Sequence, residues 1–363
     1  MDRLCVHLDE NPIYSIVLDQ SFGGLAAEVE KLGTRRRKLC VVTDSNVAGL
    51  YLEEVRRILA PVCRQVDSFV FPAGEEQKNL DTVRKLYETL IQKEYDRNDM
   101  LVALGGGVTG DLCGFGAATY LRGISFIQIP TTLLAQVDSS IGGKTGVDFD
   151  SYKNMVGAFH MPKLVYTNVK TLLTLPKEQF ISGMGEVVKH GLIKSEEYYR
   201  WLLENADAIM ERKLTVCQKM ILESNRIKRD VVEQDPTEKG QRALLNFGHT
   251  LGHAIEKKKE FTMSHGCCVA VGFLAAAEIS RMRGLISDAD MEELVTVMKK
   301  FQLPLTVDGL DAEAVLEAVK HDKKMDSGVI KFILLKKIGE AYVDRTVSRQ
   351  EMAAGLASII DGE

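Results

Sequence analysis

The sequence has no CxxC pair, no HExxH motif and no long apolar run, and each absence excludes a class of protein. Its seven cysteines are scattered and odd in number, so we predict reduced, mostly buried thiols rather than a disulfide framework or a zinc ribbon. No segment approaches the roughly 20 apolar residues that a membrane-spanning helix needs. The opening MDRLCVHLDENPIYSIVL carries early acids and no apolar stretch, so we expect no signal peptide and a cytoplasmic location.

An excess of positive charge is also missing. The formal net charge is −5, so the chain has no general attraction for nucleic acid or for an anionic membrane, and we expect neither as a partner. Any phosphate-binding site must therefore come from a local cluster of cations. The composition is that of a globular protein, and 363 residues exceed the usual size of a single hydrophobic core, so we expect two domains.

The first half of the sequence alternates strand-like and helix-like segments. Segment 80–93 has apolar residues at helical spacing between two apolar runs that predict strands. Strands separated by helices imply a parallel sheet with right-handed crossovers, so we predict an α/β domain over residues 1–176. The predicted strands are 38–43, 67–71, 100–104, 125–129 and 163–167.

The sequence changes in character after Pro176. Long segments with helical periodicity dominate, one run at 329–335 is extended, and 235–240 is a loop between helices. We therefore predict an all-α domain over residues 177–363, which closes with a helix in its last ~15 residues. The predicted helices are 179–194, 196–211, 214–232, 249–260, 265–282 and 288–301.

The segment LVALGGGVTGDLCGF contains Gly105, Gly107 and Gly110 at the GxGxxG spacing. They follow a predicted strand and open a helix, which is the context that a dinucleotide-binding motif requires. Without Cβ atoms, backbone N–H groups at a helix N-terminus can approach a pyrophosphate closely. The acid that dehydrogenases carry about 20 residues further on is missing, and Arg122 lies near that place. The motif fits either a dinucleotide site or a tight strand–helix turn.

Residues that follow two other predicted strands can likewise be either cofactor contacts or structural residues. Asp44, after strand 38–43, is either a ribose ligand or a helix N-cap. Glu75 and Lys78 in PAGEEQK either contact a cofactor or belong to a solvated turn.

The segment DSSIGGKT resembles the end of a nucleotide triphosphatase loop. Asp138 stands where that loop needs its first glycine, and no apolar strand precedes it, so we do not expect ATP or GTP hydrolysis. Gly142 and Gly143 beside Lys144 still indicate a backbone that approaches an anion.

Two of the seven histidines lie four residues apart in NFGHTLGHAIE. His249 and His253 therefore share a helix face, and His265 follows in SHGCC. A metalloprotease would need glutamate where Thr250 stands, so we do not expect peptidase activity. Two histidines and a distant carboxylate make a catalytic metal site with an open position, and Glu186, on an apolar helical stretch, is the candidate carboxylate. The alternative is structural core histidines and an exposed glutamate.

Several basic residues lie in segments too glycine-rich or apolar to be merely solvated surface. Each one alone fits a structural ion pair, but in an acidic protein they together predict a positive pocket for an anion. They are Arg122, Lys144, Lys153, Lys189, Lys228 and Arg242.

These motifs, taken in order, resemble the 3-dehydroquinate synthase family. The matching segments are GGGVTGDLCGFGAATYLRG, IPTTLLAQVDSSIGGKTGVD, KNMVGAF, TLPKEQFISGMGEVVKHGLI and RALLNFGHTLGHAIE followed by SHG, over about four-fifths of the chain. The resemblance implies a Rossmann-like N-terminal domain that binds NAD, a helical C-terminal domain that binds a metal and the substrate, and an active site in the cleft between them.

The resemblance also implies roles for individual residues. The positions that match metal ligands, for zinc or cobalt, are Glu186, His249 and His265. The positions that match NAD contacts are Asp44, Glu75, Lys78, Gly106, Gly107, Asp111, Thr131, Thr132, Lys153, Thr171 and Thr174. The positions that match substrate contacts are Asp138, Lys144, Asn154, Lys189, Lys228, Arg242, Asn246, His253 and one lysine of HDKK, Lys323 rather than Lys324.

The resemblance implies catalytic roles for a smaller set of residues. His253 and Glu238 match positions assigned to proton transfer, and the other catalytic positions are Lys144, Lys189 and Asn246. Arg122 matches a residue that reaches the neighbouring subunit's site and the substrate there, which implies a homodimer.

The sequence departs from the family at two places. Cys267 stands where the family usually has a glutamate close to the second metal histidine, and we expect this change to bear on metal affinity or preference. Pro236 stands where the family commonly has an acid, which bears on the role of Glu238.

The activity that the resemblance implies is that of a phosphate-eliminating carbon–oxygen lyase. It converts 3-deoxy-D-arabino-heptulosonate 7-phosphate to 3-dehydroquinate and phosphate, in the shikimate pathway to chorismate and the aromatic amino acids. The steps are transient oxidation by NAD at a metal-held carbinol, phosphate elimination, reduction, ring opening and intramolecular aldol closure.

Three alternative functions remain. One is another sugar phosphate cyclase, although Asp138, Lys144 and Asn154 favour the synthase because a substrate without a carboxylate would need fewer cations. The second is a metal-dependent alcohol dehydrogenase, which would release NADH stoichiometrically. The third is a non-catalytic binding protein with this fold.

Overall fold

The apolar runs of the first half pair into one sheet in the computed structural model, which describes residues 1–150, 152–238, 240–322 and 330–361. Within this first unit, Met1–Leu175, the strands are β1 (Asp2–Leu8), β2 (Asn11–Asp19), β3 (Lys38–Asp44), β4 (Gln65–Phe71), β5 (Met100–Gly105), β6 (Ser125–Pro130), β7 (Lys144–Phe149), β8 (Tyr152–Phe159) and β9 (Leu164–Asn168). The helices are α1 (Leu25–Glu30), α2 (Ser45–Val47), α3 (Glu53–Leu59), α4 (Leu80–Gln92) and α5 (Gly107–Thr119).

The sheet has seven strands in the order β1-β2-β9-β6-β5-β3-β4. All neighbouring pairs are parallel except β1 with β2. From β3 the chain winds to β4 at one side, and from β5 it winds through β6 to β9 at the other, so the direction of winding reverses between β3 and β5. The predicted parallel α/β sheet is confirmed.

Two hairpins of this unit were not predicted. β1 pairs with β2 at the edge of the sheet, where buried residues such as Leu4 and Val6 alternate with accessible ones instead of forming a continuous apolar run. β7 and β8 form a separate antiparallel pair, and the exposed residues of β8 hide its strand pattern.

Helices cover both faces of the sheet, and β5 shows how the sequence arranges this. All six of its residues are buried. Leu101 and Ala103 pack with α4 and α5, whereas Val102 and Leu104 pack with α1 and α3 on the other face. The alternation follows from the two-residue repeat of a strand, and burial on both faces explains the unbroken apolar run.

The second unit, Pro176–Glu363, is built around a buried helix. Its elements are α6 (Lys177–Lys194), α7 (Glu196–Glu204), α8 (Ala206–Met210), α9 (Leu214–Gln234), α10 (His249–Lys258), α11 (His265–Met282), α12 (Asp288–Lys300), α13 (Ala312–Asp322), β10 (Phe332–Lys337), β11 (Glu340–Asp344) and α14 (Arg349–Ala357). Helix α11 packs against α6, α10, α12, α14 and β10. The predicted helical character of this unit is confirmed.

Three details of the second unit differ from the predictions. The helix predicted at 196–211 is two helices, α7 and α8, because Asn205 ends the first and bonds through its side chain to the carbonyl of Trp201. Helix α13 was not predicted, and the extended segment has a partner strand, β11. In the described parts of the chain, no helix is both long and apolar enough to cross a membrane.

Candidate cofactor and metal sites

The residues predicted to contact NAD follow the carboxyl ends of the parallel strands. They are the last residue of β3 (Asp44) and residues that come after β4 (Glu75, Lys78), β5 (Gly106, Gly107, Asp111), β6 (Thr131, Thr132) and β9 (Thr171, Thr174), with Lys153 on β8. Ligands of open α/β sheets bind at this edge, at the point where the winding reverses. Here that point lies between Asp44 on β3 and the glycine turn after β5. The fold therefore brings the predicted cofactor residues to one edge of the sheet.

Asp44 links the two segments on either side of this point. Its Oδ1 accepts hydrogen bonds from the backbone N–H groups of Asn46 (2.9 Å) and Val47 (3.1 Å), which is the N-cap that the sequence left as one alternative. Its Oδ2 accepts a hydrogen bond from the Thr109 hydroxyl at 3.3 Å, on the first turn of α5. Gly106 precedes that helix in an extended conformation and contributes no side-chain cap.

Lys78 is the centre of a buried charge cluster, with 5% of its surface exposed. Its Nζ lies 2.7 Å from Asn154 Oδ1, 3.2 Å from Glu75 Oε1, 3.4 Å from Asp111 Oδ2 and 3.8 Å from Asp148 Oδ1. Burial alone would lower the pKa of Lys78, but the three carboxylates raise it above its usual value. Burial raises the pKa of Asp111 to about 6, against the opposing effect of Lys78. The cluster ties the turn after β4, helix α5 and the β7–β8 hairpin together.

The threonines predicted near NAD are held by residues that the sequence did not single out. Gln136 Nε2 donates to Thr171 Oγ1 at 2.9 Å. Thr174 Oγ1 donates to the carbonyl of Thr171 at 3.0 Å and also contacts the Tyr51 hydroxyl. Lys153 Nζ lies 3.7 Å from Glu75 Oε1, which joins it to the Lys78 cluster.

The predicted substrate residues of the first unit differ in their exposure to solvent and in their hydrogen bonds. Asn154, at φ +53°, is held by Lys78 and by Asp148, whose Oδ1 accepts its backbone N–H at 2.7 Å. Arg122, at φ +69°, and Lys144 on β7 are exposed, and Asp138 is half-buried.

The predicted metal ligands of the second unit converge. Glu186 on α6 is 1% exposed, and its Oε1 lies 3.6 Å from His249 Nε2 and 3.8 Å from His265 Nε2. Ligand atoms about 2.1 Å from a tetrahedral zinc ion lie about 3.4 Å apart, close to these spacings. Neither carboxylate oxygen accepts a hydrogen bond within the described residues, although Lys189 forms an ion pair with Glu186. The donor set and its geometry fit a divalent metal.

Both histidines have an acceptor at the nitrogen that faces away from Glu186. His249 Nδ1 lies 3.2 Å from the carbonyl oxygen of Phe247, and His265 Nδ1 lies 3.2 Å from Glu256 Oε2. Each contact favours the Nδ1–H tautomer and leaves the Nε2 lone pair for a metal. Burial, the neighbouring Lys189 and the other two histidines lower the pKa of His249 well below its usual value, so its imidazole is neutral at pH 7.

His253 belongs to the same cluster. One ring nitrogen from each of His249, His253 and His265 lies within 4.8 Å of the others, and His253 is exposed. The sequence spacing predicted that His253 and His249 share one helix face, and the structure shows that His265 lies close to both of them.

Glycines allow the helices that carry these ligands to approach one another. Gly248, just before His249, has φ +80°, and a Cβ there would lie 2.6 Å from the Val269 carbonyl oxygen on α11. A Cβ on Gly266 would lie 1.8 Å from the carbonyl oxygen of Ser182 on α6. Backbone packing at both positions therefore brings His249 and His265 towards Glu186.

The predicted anion-binding residues of the second unit are largely buried. Lys189, Lys228 and Arg242 are 1%, 5% and 2% exposed, and they lie on α6, α9 and the 3-10 segment Gln241–Asn246, which pack against one another. Arg242 Nη1 donates to the Pro236 carbonyl at 2.6 Å.

Glu238, predicted for proton transfer, has φ +59° and accepts a hydrogen bond from Asn246 Nδ2 at 2.9 Å. This contact joins two residues that the sequence assigned to catalysis. Lys323, predicted for substrate binding, lies outside the described residues.

Sequence reasoning missed Glu256 and Asp148. Glu256 lies seven residues after His249, so it shares the helix face of the two histidines, and this spacing was a usable signal. Asp148 reaches Lys78 only because the β7–β8 hairpin folds onto the turn after β4, and no local pattern indicates that contact.

Comparisons with known proteins agree with this architecture. A family model described as 3-dehydroquinate synthase N-terminal matches residues 68–182, and one described as 3-dehydroquinate synthase C-terminal matches residues 183–325. The 3-dehydroquinate synthase of Symbiobacterium thermophilum is 45% identical over 342 residues, which cover 93% of this chain and 96% of that protein.

Two solved structures are similar over nearly their whole length. The 2-epi-5-epi-valiolone synthase of Streptomyces hygroscopicus subsp. jinggangensis, with NAD+ and Zn2+ bound, has a TM-score of 0.88 and 25% identity, covering 95% of this chain and 96% of that one. A 2-deoxy-scyllo-inosose synthase complexed with carbaglucose-6-phosphate, NAD+ and Co2+ has a TM-score of 0.85 and 25% identity, covering 98% and 99%.

The family models together span most of the sequence, and the identity to a synthase extends through both units. The resemblance seen in the motifs is thereby confirmed, and the chain belongs to the 3-dehydroquinate synthase family.

Proposed function

We propose that this protein converts 3-deoxy-D-arabino-heptulosonate 7-phosphate to 3-dehydroquinate and inorganic phosphate, with bound NAD and one zinc or cobalt ion. The observation that carries the proposal is the buried Glu186 carboxylate, which faces Nε2 of His249 and of His265 in a chain of this family. The solved relatives that hold NAD+ with Zn2+ or Co2+ support the choice of cofactors.

In this proposal the first unit binds NAD and the second unit binds the metal. When bound, NAD supplies a hydride acceptor and donor, and the metal supplies a Lewis acid for a substrate oxygen. Glu186, His249 and His265 would hold the metal and leave one tetrahedral position open for the substrate. The residues that would hold NAD are Asp44, Glu75, Lys78, Gly106, Gly107, Asp111, Thr131, Thr132, Lys153, Thr171 and Thr174.

Buried cations would bind the substrate's carboxylate and phosphate. Lys189, Lys228 and Arg242 concentrate positive charge in a chain whose net charge is −5. Asn154 accepts a hydrogen bond from Lys78 with its Oδ1, and its Nδ2 group would donate to a substrate oxygen. Asp138, Lys144, Lys323 and, from the partner of a homodimer, Arg122 complete the proposed substrate contacts.

Proton transfer falls to His253 and Glu238. The imidazole of His253 lies beside the metal-ligand histidines, with a ring centroid 5.1 Å from that of His249, and can accept or donate a proton at a bound substrate. Asn246 holds the Glu238 carboxylate in place, and Lys189 stabilises negative charge that develops beside the metal ligands.

Phosphate release tests the proposal and separates it from the related cyclases. The purified protein would be incubated with NAD, cobalt and either the heptulosonate phosphate or glucose 6-phosphate, which lacks a carboxylate. We expect phosphate from the heptulosonate phosphate alone, loss of release with a chelator, and recovery on addition of zinc or cobalt. Release from glucose 6-phosphate alone would favour another cyclase, and release from neither would contradict the proposal.

A further inference from the structure

Glu256 connects helix α10 to the first residue of α11. Its Oε2 lies 3.2 Å from His265 Nδ1, and the residue is 4% exposed. The opposite nitrogen of the same ring, Nε2, lies 3.8 Å from Glu186 Oε1. The His265 imidazole therefore stands between two buried carboxylates, one at each nitrogen.

The two histidines of the cluster differ in what supports them. His249 Nδ1 faces a neutral backbone carbonyl, that of Phe247, whereas His265 Nδ1 faces a carboxylate. Both acceptors fix the ring and its tautomer, but a carboxylate also increases the basicity of the nitrogen that binds the metal. Burial of the Glu256 carboxylate strengthens this contact, because little water competes for its oxygens.

Glu256 is the carboxylate that supports His265 Nδ1, since the residue close to His265 in the sequence at position 267 is not an acid. Position 267, two residues after His265, carries a cysteine and so offers a thiol rather than a carboxylate. His265 is also the more exposed of the two predicted histidine ligands, at 33% of its side chain against 13% for His249, so its ring has less surrounding packing to hold it.

We propose that Glu256 is a positioning residue that holds His265 in its metal-binding tautomer and orientation. This inference rests on the metal site proposed above. In this role Glu256 would act through His265, whose Nδ1 it faces, rather than as a metal ligand.

Cobalt binding by the purified full-length protein tests the inference. The dissociation constant for Co2+ would be measured by competition with a chelator, together with the visible absorption spectrum of bound cobalt and the melting temperature of the metal-free protein. The variants are E256A, E256Q and the control D344N. Asp344 is a buried carboxylate of the same unit that bonds to Arg283 and Thr346 instead of a histidine.

We expect E256A to bind cobalt roughly 10 to 100 times more weakly and with an altered spectrum. E256Q should lose less affinity, since its amide oxygen still accepts the Nδ1 proton, and D344N should bind as the parent does. The inference is overturned if E256A keeps the parent's affinity and spectrum, or if D344N loses as much affinity as E256A. Should E256A fail to fold, E256Q decides: the inference then predicts a smaller but measurable loss of cobalt affinity, because the amide oxygen accepts the Nδ1 proton without the carboxylate's charge, and affinity and spectrum equal to the parent's overturn it. If the parent binds no cobalt, the metal site itself is refuted, a result distinct from unchanged binding in E256A.

Discussion

The ion pair between Glu186 and Lys189 offers the sharpest test of the proposed metal site. The two side chains lie one turn apart on α6, and each is 1% exposed. Replacing Glu186 with Gln leaves a buried ammonium without its counter-charge, and such a change costs about 3–5 kcal/mol of unfolding free energy. Replacing both residues, as E186Q/K189M, removes both charges and should recover most of that loss. Without metal, the single variants E186Q and K189M should therefore each be less stable than the parent and than the double variant.

The chain contains a suitable probe for this measurement. Trp201, its single tryptophan, lies on α7 of the same unit and stacks on Tyr198, so its fluorescence reports the unfolding of that unit. Urea unfolding would be followed for the parent, E186Q, K189M and the double variant in chelator, and the four values form a double-mutant cycle.

Metal addition supplies the second half of the test. Zinc at about one hundred times its dissociation constant should stabilise the parent by about 2.7 kcal/mol. E186Q, which lacks the carboxylate ligand, should show little or no such gain. The reasoning is refuted if E186Q unfolds at the parent's urea concentration and is stabilised by zinc to the same extent.

Three further predictions concern other parts of the two sites. Because the pKa of Asp111 is raised to about 6, its protonated form stabilises the cofactor-free protein at low pH, and this contribution is lost as the pH rises from about 4 to about 6. The parent's unfolding free energy, measured by circular dichroism in urea, should therefore contain a difference of about 2 kcal/mol between pH 4.5 and pH 7.5 that D111N removes. An unchanged difference in D111N contradicts the prediction. G266A places a Cβ against the Ser182 carbonyl and should displace α11 from α6, which weakens cobalt binding at least tenfold. Chelator competition measures this affinity, and a parent-like value would show that the close approach is not needed. H253A should keep stoichiometric metal, measured by elemental analysis, while phosphate release falls by roughly 100-fold or more; loss of the metal would instead make His253 a ligand.

Local patterns sufficed for the central features of the fold. The unbroken apolar run of β5 indicated a strand buried on both faces, and the glycines after it indicated the turn at the sheet edge. The spacing of His249 and His253 placed them on one helix face, and the apolar stretch around Glu186 made it the candidate carboxylate. The resemblance then selected His265 as the second histidine ligand, and the structure brings these residues to the same place.

Contacts between distant segments could not be predicted in this way. Asp148 reaches Lys78 through a hairpin whose exposed residues hide its strand pattern, and Gln136 reaches Thr171 between two separate strand ends. The break at Asn205 was missed because the apolar spacing continues across it, although the side chain ends the helix.

Turnover without consumption of NAD is the most direct test of the proposed function. The protein would be given NAD at one equivalent per subunit, cobalt, and a large excess of the heptulosonate phosphate, while phosphate release and NADH absorbance are followed in the same sample. The proposal predicts many equivalents of phosphate per NAD with no accumulation of NADH, because the reaction has no net oxidation. Phosphate release that stops after one equivalent, or NADH that rises in step with substrate loss, would contradict it.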